Sequence, residues 1–230
     1  MTSLEVLVLT VFALLIVFAA LPYVVNTLYA SMAPLEYRTV AGYILSFADA
    51  LEADVGMAGA RKYFNLPSFV YGSFGAVNRT YTFTISCTTK RFVWTSAEVW
   101  YNSTYLVGTS KMLRGLGDGL VVVYGSDVSG PPDSLMAAKS GDRWIKAWPR
   151  IFVVRGVNEA YIYVMNATVK VPRGVTPQYL SYVVWKIDRL EIPNCVAGQL
   201  TLGNDKISLF DQSQTGTVYV VTQYVNITLT

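Results

Sequence analysis

The chain contains no histidine. This removes the commonest general base and the commonest zinc ligand, so a Ser-His-Asp triad, a Cys-His dyad or a His-based metal site cannot be built. Charge is scarce as well: 14% of residues are charged and the balance is +3, with no Lys/Arg stripe of the kind that tracks a phosphate backbone. These shortages argue against most simple enzymes and against nucleic-acid readers, and no catalytic residue, metal, cofactor or nucleic-acid partner is expected. Cysteine is limited to Cys87 and Cys195. They lie too far apart for a CxxC motif and read either as one long-loop disulfide made in an oxidising compartment or as two buried free thiols. A basic flank is missing too. No Lys or Arg precedes the first apolar run, although a secretory signal or simple single-pass anchor carries one on its cytoplasmic side.

That run, Val6–Val25, has no charged residue and has about the length needed to cross a hydrocarbon layer as a helix. It is longer than a signal-peptide core, and the small-residue site near its end, Ser31-Met32-Ala33, is followed by Pro34, which signal peptidase tolerates poorly. Glu5 opens the run. Burying a carboxylate there without a partner costs on the order of several kcal/mol. Two compatible readings account for it. Thr2 and Glu5 form a T-x-x-E capping box at the positive end of the helix dipole. Alternatively, Glu5 lies beside a free α-amine at Met1, its own or a neighbouring subunit's, and is neutralised when copies pack together.

Over Met1–Val25 the chain resembles type IV pilins, whose mature N-terminus carries a short lead, Glu at the fifth place and then about twenty apolar residues. Met1-Thr2-Ser3-Leu4-Glu5 has that form, and Ala20-Leu21-Pro22 is similar to the Ala-Leu-Pro of many bacterial members. MTSLEVLVL is also similar to the archaeal class III signal motif Q-x-S-x-E-x-x-x-L through Ser3, Glu5 and Leu9, and departs from it at Met1, where the motif has Gln. Either Met1 is the mature residue left after a basic leader is clipped, or it is an initiator. The resemblance implies assembly residues Met1, Glu5 and Pro22, insertion in the cytoplasmic membrane before assembly, and a homo-polymeric surface filament with adhesive roles.

Beyond the apolar run the helical pattern continues. Val40, Ile44, Phe47 and Leu51 recur on one stripe, while Glu36, Arg38, Asp49 and Glu52 stay off it, which describes an amphipathic helix. Residues 1–53 are therefore expected to be an assembly or transmembrane helix, either continuous and bent at Pro22 and Pro34 or restarted at Pro34 with Ser31 as cap. The stripe should pack on the body while the first half stays free.

Residues 54–230 read as an extracellular antiparallel β-sandwich, giving an α+β chain. Strand candidates are Thr80–Cys87, Arg91–Trp100, Gly119–Gly125, Arg150–Gly156, Glu159–Val171, Leu180–Ile187, Lys206–Phe210 and Thr217–Leu229, nearly all separated by Gly, Pro, Asn or Asp turns. In the first, Tyr81, Phe83, Ile85 and Cys87 share one face, so Cys87 points to the core and can reach Cys195 across the sheets. Four sequons, at Asn78, Asn102, Asn166 and Asn226, suit N-glycosylation of an exported chain. Alternation puts Tyr161, Tyr163, Met165 and Val169 on one face and Asn166, Thr168 and Lys170 on the other. It likewise opposes Val225, Ile227 and Leu229 to Asn226, so the acceptors face water. Arg-Gly-Leu-Gly-Asp-Gly-Leu lacks GK[ST] and reads as a tight turn. Asp118, Asp127, Asp133, Asp142, Asp205 and Asp211 lack EF-type spacing and read as turn residues. The tryptophans (94, 100, 144, 148 and 185) serve core and subunit contacts or stack sugars. A pilin that polymerises is the leading expectation. A minor pilin or single-pass tether that binds the cell envelope is the alternative.

Overall fold

In a computed structural model, which describes residues 3–125, 133–172, 176–210 and 215–230, one α-helix precedes a mostly antiparallel β body. Helix α1 runs unbroken over Ser3–Ala53 with Pro22 and Pro34 inside it, so the alternative of a restart at Pro34 is not adopted. Each proline lacks an N–H, leaving one carbonyl four residues earlier without its helical donor. At about 1.5 Å per residue the helix is about 75 Å long. It stops where Asp54 closes a last bond to Ala50 and Gly56, at φ 84°, turns the chain through the left-handed region that glycine tolerates.

The strands that follow are β1 (Arg61–Asn65), β2 (Gly72–Ile85), β3 (Arg91–Ser103), β4 (Lys111–Arg114), β5 (Val121–Tyr124), β6 (Met136–Ser140), β7 (Trp144–Pro149), β8 (Ile151–Arg155), β9 (Glu159–Lys170), β10 (Tyr179–Val196), β11 (Gln199–Leu202), β12 (Asp205–Ser208) and β13 (Thr215–Leu229). They form two sheets. The first has the order β1-β10-β13-β9-β8-β5 and the second β12-β11-β2-β3-β7-β6-β4. Pairing is antiparallel except for β9 with β13 and β5 with β8, which are parallel. The first exception arises because β13, last in sequence, slots between β10 and β9 in the middle of its sheet.

The helical stripe is buried as its spacing implies: Val40, Ile44, Phe47 and Leu51 lie in one apolar cluster with residues of both sheets, among them Val99, Tyr101, Tyr182 and Val225. A second cluster farther along the body joins Phe83, Ile85 and Trp94 to Ile162, Val164 and Val220. Between the clusters the buried positions change parity. On β9 they pass from Ile162 and Val164 to Met165, Ala167 and Val169, and on β13 from Val218 and Val220 to Gln223, Val225 and Ile227. The two strands keep unbroken register through this step, from Thr217 opposite Glu159 to Thr228 opposite Lys170, so they step together. The expected alternation is corrected here. Met165 and Val169 are buried, but Tyr161 and Tyr163 stay half-exposed on the far face, because a strict two-residue period cannot carry through the step.

Candidate functional site

Every described side chain from Glu5 to Met32 is exposed, including Leu7 at 63%, Phe12 at 61%, Ile16 at 66% and Phe18 at 67%. At the helical rise this arm projects about 40 Å, longer than the roughly 30 Å hydrocarbon core of a bilayer. Each large apolar side chain gains about 1.5–3 kcal/mol on leaving water, so the arm demands a dry environment of its own. Three of its hydroxyls are satisfied from within: Thr10, Thr27 and Ser31 donate to the carbonyls of Val6, Tyr23 and Leu28 at 2.7, 2.8 and 2.7 Å, which lowers the cost of taking them into an apolar phase. Where the arm meets the body, Tyr29 packs on Tyr71, which in turn meets Tyr105, with ring centroids 5.5 and 6.5 Å apart. This aromatic cluster suits the level of a membrane interface.

The rest of α1 is fastened by carboxylates, among them Glu36, Asp49 and Glu52, which the sequence pattern places off the apolar stripe, and by Asp54 just past its end. Glu36 accepts the Val70 N–H at 2.7 Å, the Tyr71 N–H at 3.2 Å and the Tyr101 hydroxyl at 2.5 Å. Glu52 accepts from Arg114, Ser134 and the Leu135 N–H at 2.6, 3.2 and 3.1 Å, and Arg114 also pairs with Asp49. Asp54 accepts the Tyr182 hydroxyl at 2.6 Å and pairs with Lys62 at 3.2 Å. Burial first, and then the Glu36 carboxylate, push the Tyr101 hydroxyl well above the usual phenol range. Burial and Asp54 do the same to Tyr182. Beside the Glu52 cluster, the fully buried Arg150 is held by Asp133 at 2.8 Å and by the Ser134 carbonyl. Burial alone would raise the Asp133 carboxyl, but the hydrogen bond from Arg150, backbone N–H bonds from Ser134 and Leu116, and the Arg150 charge together hold it below the usual carboxylate value. The outcome is an apolar arm continuous with a helix clamped into the body.

Glu5 is exposed in the first turn of this helix, and Pro22 lies exposed within the arm. Met1 and Thr2 lie outside the described residues, and the capping box with them. Cys87, just past β2, is bonded to Cys195 near the end of β10, with Cα atoms 5.2 Å apart, so the disulfide ties one sheet to the other. Gly198 makes room for it, since a Cβ there would sit 2.6 Å from the Cys195 sulfur.

The sequons fall into two kinds. Asn102 and Asn226 are exposed, and Asn226 Oδ1 accepts from Thr168 at 2.9 Å. Asn78 is exposed but uses both ends of its amide: Nδ2 donates to the Val169 carbonyl at 3.0 Å and Oδ1 accepts the Val169 N–H at 2.8 Å. Asn166 is half-buried rather than turned fully to water, because its Oδ1 accepts the Thr95 N–H at 3.1 Å. Both clamp the stretch of β9 that extends beyond its pairing with β8. There the indole N–H of Trp94 also donates to the Met165 carbonyl at 2.9 Å.

Of the loop aspartates, Asp118 pairs with Lys139 and Asp133 with Arg150, while Asp127 and Asp211 lie outside the described residues. Among the described residues no group of three or more His, Cys, Asp or Glu is placed to hold a metal ion. The glycine-rich 115–119 stretch is a turn between β4 and β5, with Gly115 at φ 82°. Trp94 is core, whereas Trp185 is 54% exposed beside Tyr224.

No protein-family model, curated protein or solved structure matches this chain.

Proposed function

We propose that this chain is a structural, non-enzymatic subunit of an extracellular filament of the type IV pilin kind. It is held in the cytoplasmic membrane by its apolar arm and then polymerises with copies of itself through that arm. The observation that carries the reading is the combination of a wholly exposed apolar half-helix with a second half clamped into the body at Glu36, Glu52 and Asp54. A flexible tether needs no clamp. A filament does, because the angle between arm and body fixes how bodies pack around a core of bundled arms. Glu5 at the tip of the arm adds a charge that a neighbouring cationic group can meet in the packed core. The body, with exposed sequons at Asn102 and Asn226, forms the outer, glycosylated surface, and adhesion is the role such a surface serves.

The test is to shear the surface of cells producing the chain and image the released material. Fibres containing it support the reading. Retention of the whole pool in the membrane fraction, without fibres, makes the arm a permanent anchor and overturns it. Glu5→Ala is expected to insert in the membrane normally and to lower fibre yield.

A further inference from the structure

The side of the second sheet turned away from the core carries a cleft of about 430 Å³. On β7, Ile145 and Ala147 are fully buried, so alternation directs Trp144, Lys146 and Trp148 to the opposite face, where they line the cleft with Arg79 and Glu98, Trp144 half-exposed and Trp148 buried at its floor. Lys146 lies between the two indoles, its Nζ 5.2 Å from one ring centroid and 5.1 Å from the other. Glu98, from β3, accepts from Arg79 at 3.0 Å and faces Lys146 at 4.0 Å. Across the cleft, Lys139 pairs with Asp118. The Trp144 indole lies against Gly141, where a Cβ would clash with it, so the ring is held flat on the β6–β7 turn.

We infer that this cleft is a binding site for a neutral saccharide. Its carboxylates are each engaged by cations, Asp118 by Lys139 and Glu98 by both Arg79 and Lys146. A cation therefore meets three positive groups, and an anion meets two carboxylates and must displace one of them to reach the single positive charge in excess. A neutral polyol avoids both penalties. Vicinal hydroxyls donate to a carboxylate and accept from the guanidinium or ammonium beside it, while the C–H face of the ring covers an indole. An apolar ligand is disfavoured because it would strip water from these charges without replacing their hydrogen bonds. The site does not depend on whether the arm bundles into a fibre or stays in a bilayer.

The sugar has two sources: a glycan on another surface, or the chain's own glycan at Asn102, whose Cα pairs directly with that of Trp144 across β3 and β7. The experiment uses the full chain in detergent, made in a host without N-glycosylation, with cellotriose, mannotriose, chitotriose and a galacturonic acid trimer as probes and tryptophan fluorescence as readout. At least one neutral trisaccharide is expected to bind saturably. Trp144→Ala and Glu98→Gln, each checked for an unchanged thermal midpoint, weaken it by about tenfold or more, while Trp185→Ala, on the other sheet, leaves it unchanged. Three results overturn the inference: no neutral probe binds, the galacturonic acid trimer alone binds, or a folded Trp144→Ala variant binds as well as wild type. Glycosylated chain identifies the source. Binding that is masked there and restored by Thr104→Ala, which removes the Asn102 sequon, assigns the cleft to the chain's own glycan. Equal binding by glycosylated and unglycosylated chain assigns it to an external one.

Discussion

The Tyr101 hydroxyl donates a 2.5 Å hydrogen bond to Glu36, joining the middle strand of the second sheet's core to the point where α1 enters the body. Glu36 serves two backbone N–H groups as well, so its loss leaves the part-buried Tyr71 N–H and Tyr101 hydroxyl without their acceptor and frees the exposed Val70 N–H to water, while the loss of the hydroxyl strands no donor. Glu36→Ala is therefore expected to destabilise the body by about 2–3 kcal/mol and Tyr101→Phe by about 1–2 kcal/mol. Denaturant unfolding of the full chain in detergent measures both. Equal values for the two variants would show that the backbone bonds contribute nothing.

The same tyrosines give the body an alkaline limit. The folded pKa values of Tyr101 and Tyr182 are raised, so folded protein keeps protons that unfolded chain releases from about pH 10 upward. The stability they contribute is complete below that pH and drains away as pH rises toward the folded values. Phenolate absorbance should show these two residues ionising only as the body unfolds. A Tyr101→Phe/Tyr182→Phe double variant, though less stable at neutral pH, should lose less stability per pH unit above about pH 10.

Acid acts through Asp133, in the opposite sense. Its folded pKa is lowered, so its contribution is present above the unfolded value of about 3.9 and is lost as pH falls through the folded one. Asp133→Asn should flatten the stability profile below about pH 4. It should also cost about 3–5 kcal/mol at neutral pH, because it leaves the buried Arg150 guanidinium without its counter-charge. An unchanged unfolding midpoint at pH 7 would contradict this.

The disulfide closes a separation of 108 residues, which in the loop-entropy account is worth about 3–5 kcal/mol. Reduction or Cys87→Ala/Cys195→Ala should lower the unfolding free energy by that amount. Gly198→Ala should weaken the oxidised body, since its added methyl meets both sulfurs and the Phe210 ring, and should matter less once reduction frees the sulfurs to move. A Gly198→Ala effect of equal size in both states would point to backbone strain instead.

The helix was legible from sequence because the stripe at Val40, Ile44, Phe47 and Leu51 and the uncharged run at Val6–Val25 are strong signals, and the Cys87–Cys195 link was one of two open readings that a strand face allowed. Other features were not. Strands β1, β4, β6, β7 and β11 are short, with lysine, methionine, alanine, tryptophan or, in β11, glutamine and leucine in place of β-branched runs, and they are fixed by neighbours rather than by their own pattern. The paired step on β9 and β13 depends on two strands at once, so alternation within either one misplaces Tyr161 and Tyr163. Glu36 and Glu52 looked like solvated helix residues because their partners, the Val70, Tyr71 and Leu135 N–H groups, are backbone atoms of distant loops. Asn78 carried a modification signal that hid its use as a strand mimic against Val169. The cleft joins residues from five segments of the chain, and only the tryptophans hinted at it.

The position of β13 sets a timetable. Translation at about 5–20 residues per second brings out Val196, the end of β10, roughly 1–4 s before Thr215, the start of β13, emerges. Throughout that interval β9 and β10 have no strand between them. The nascent body must wait with an open slot in its larger core. Any chaperone that serves this protein during synthesis has its task defined by that gap: to keep other strands out until the right one arrives.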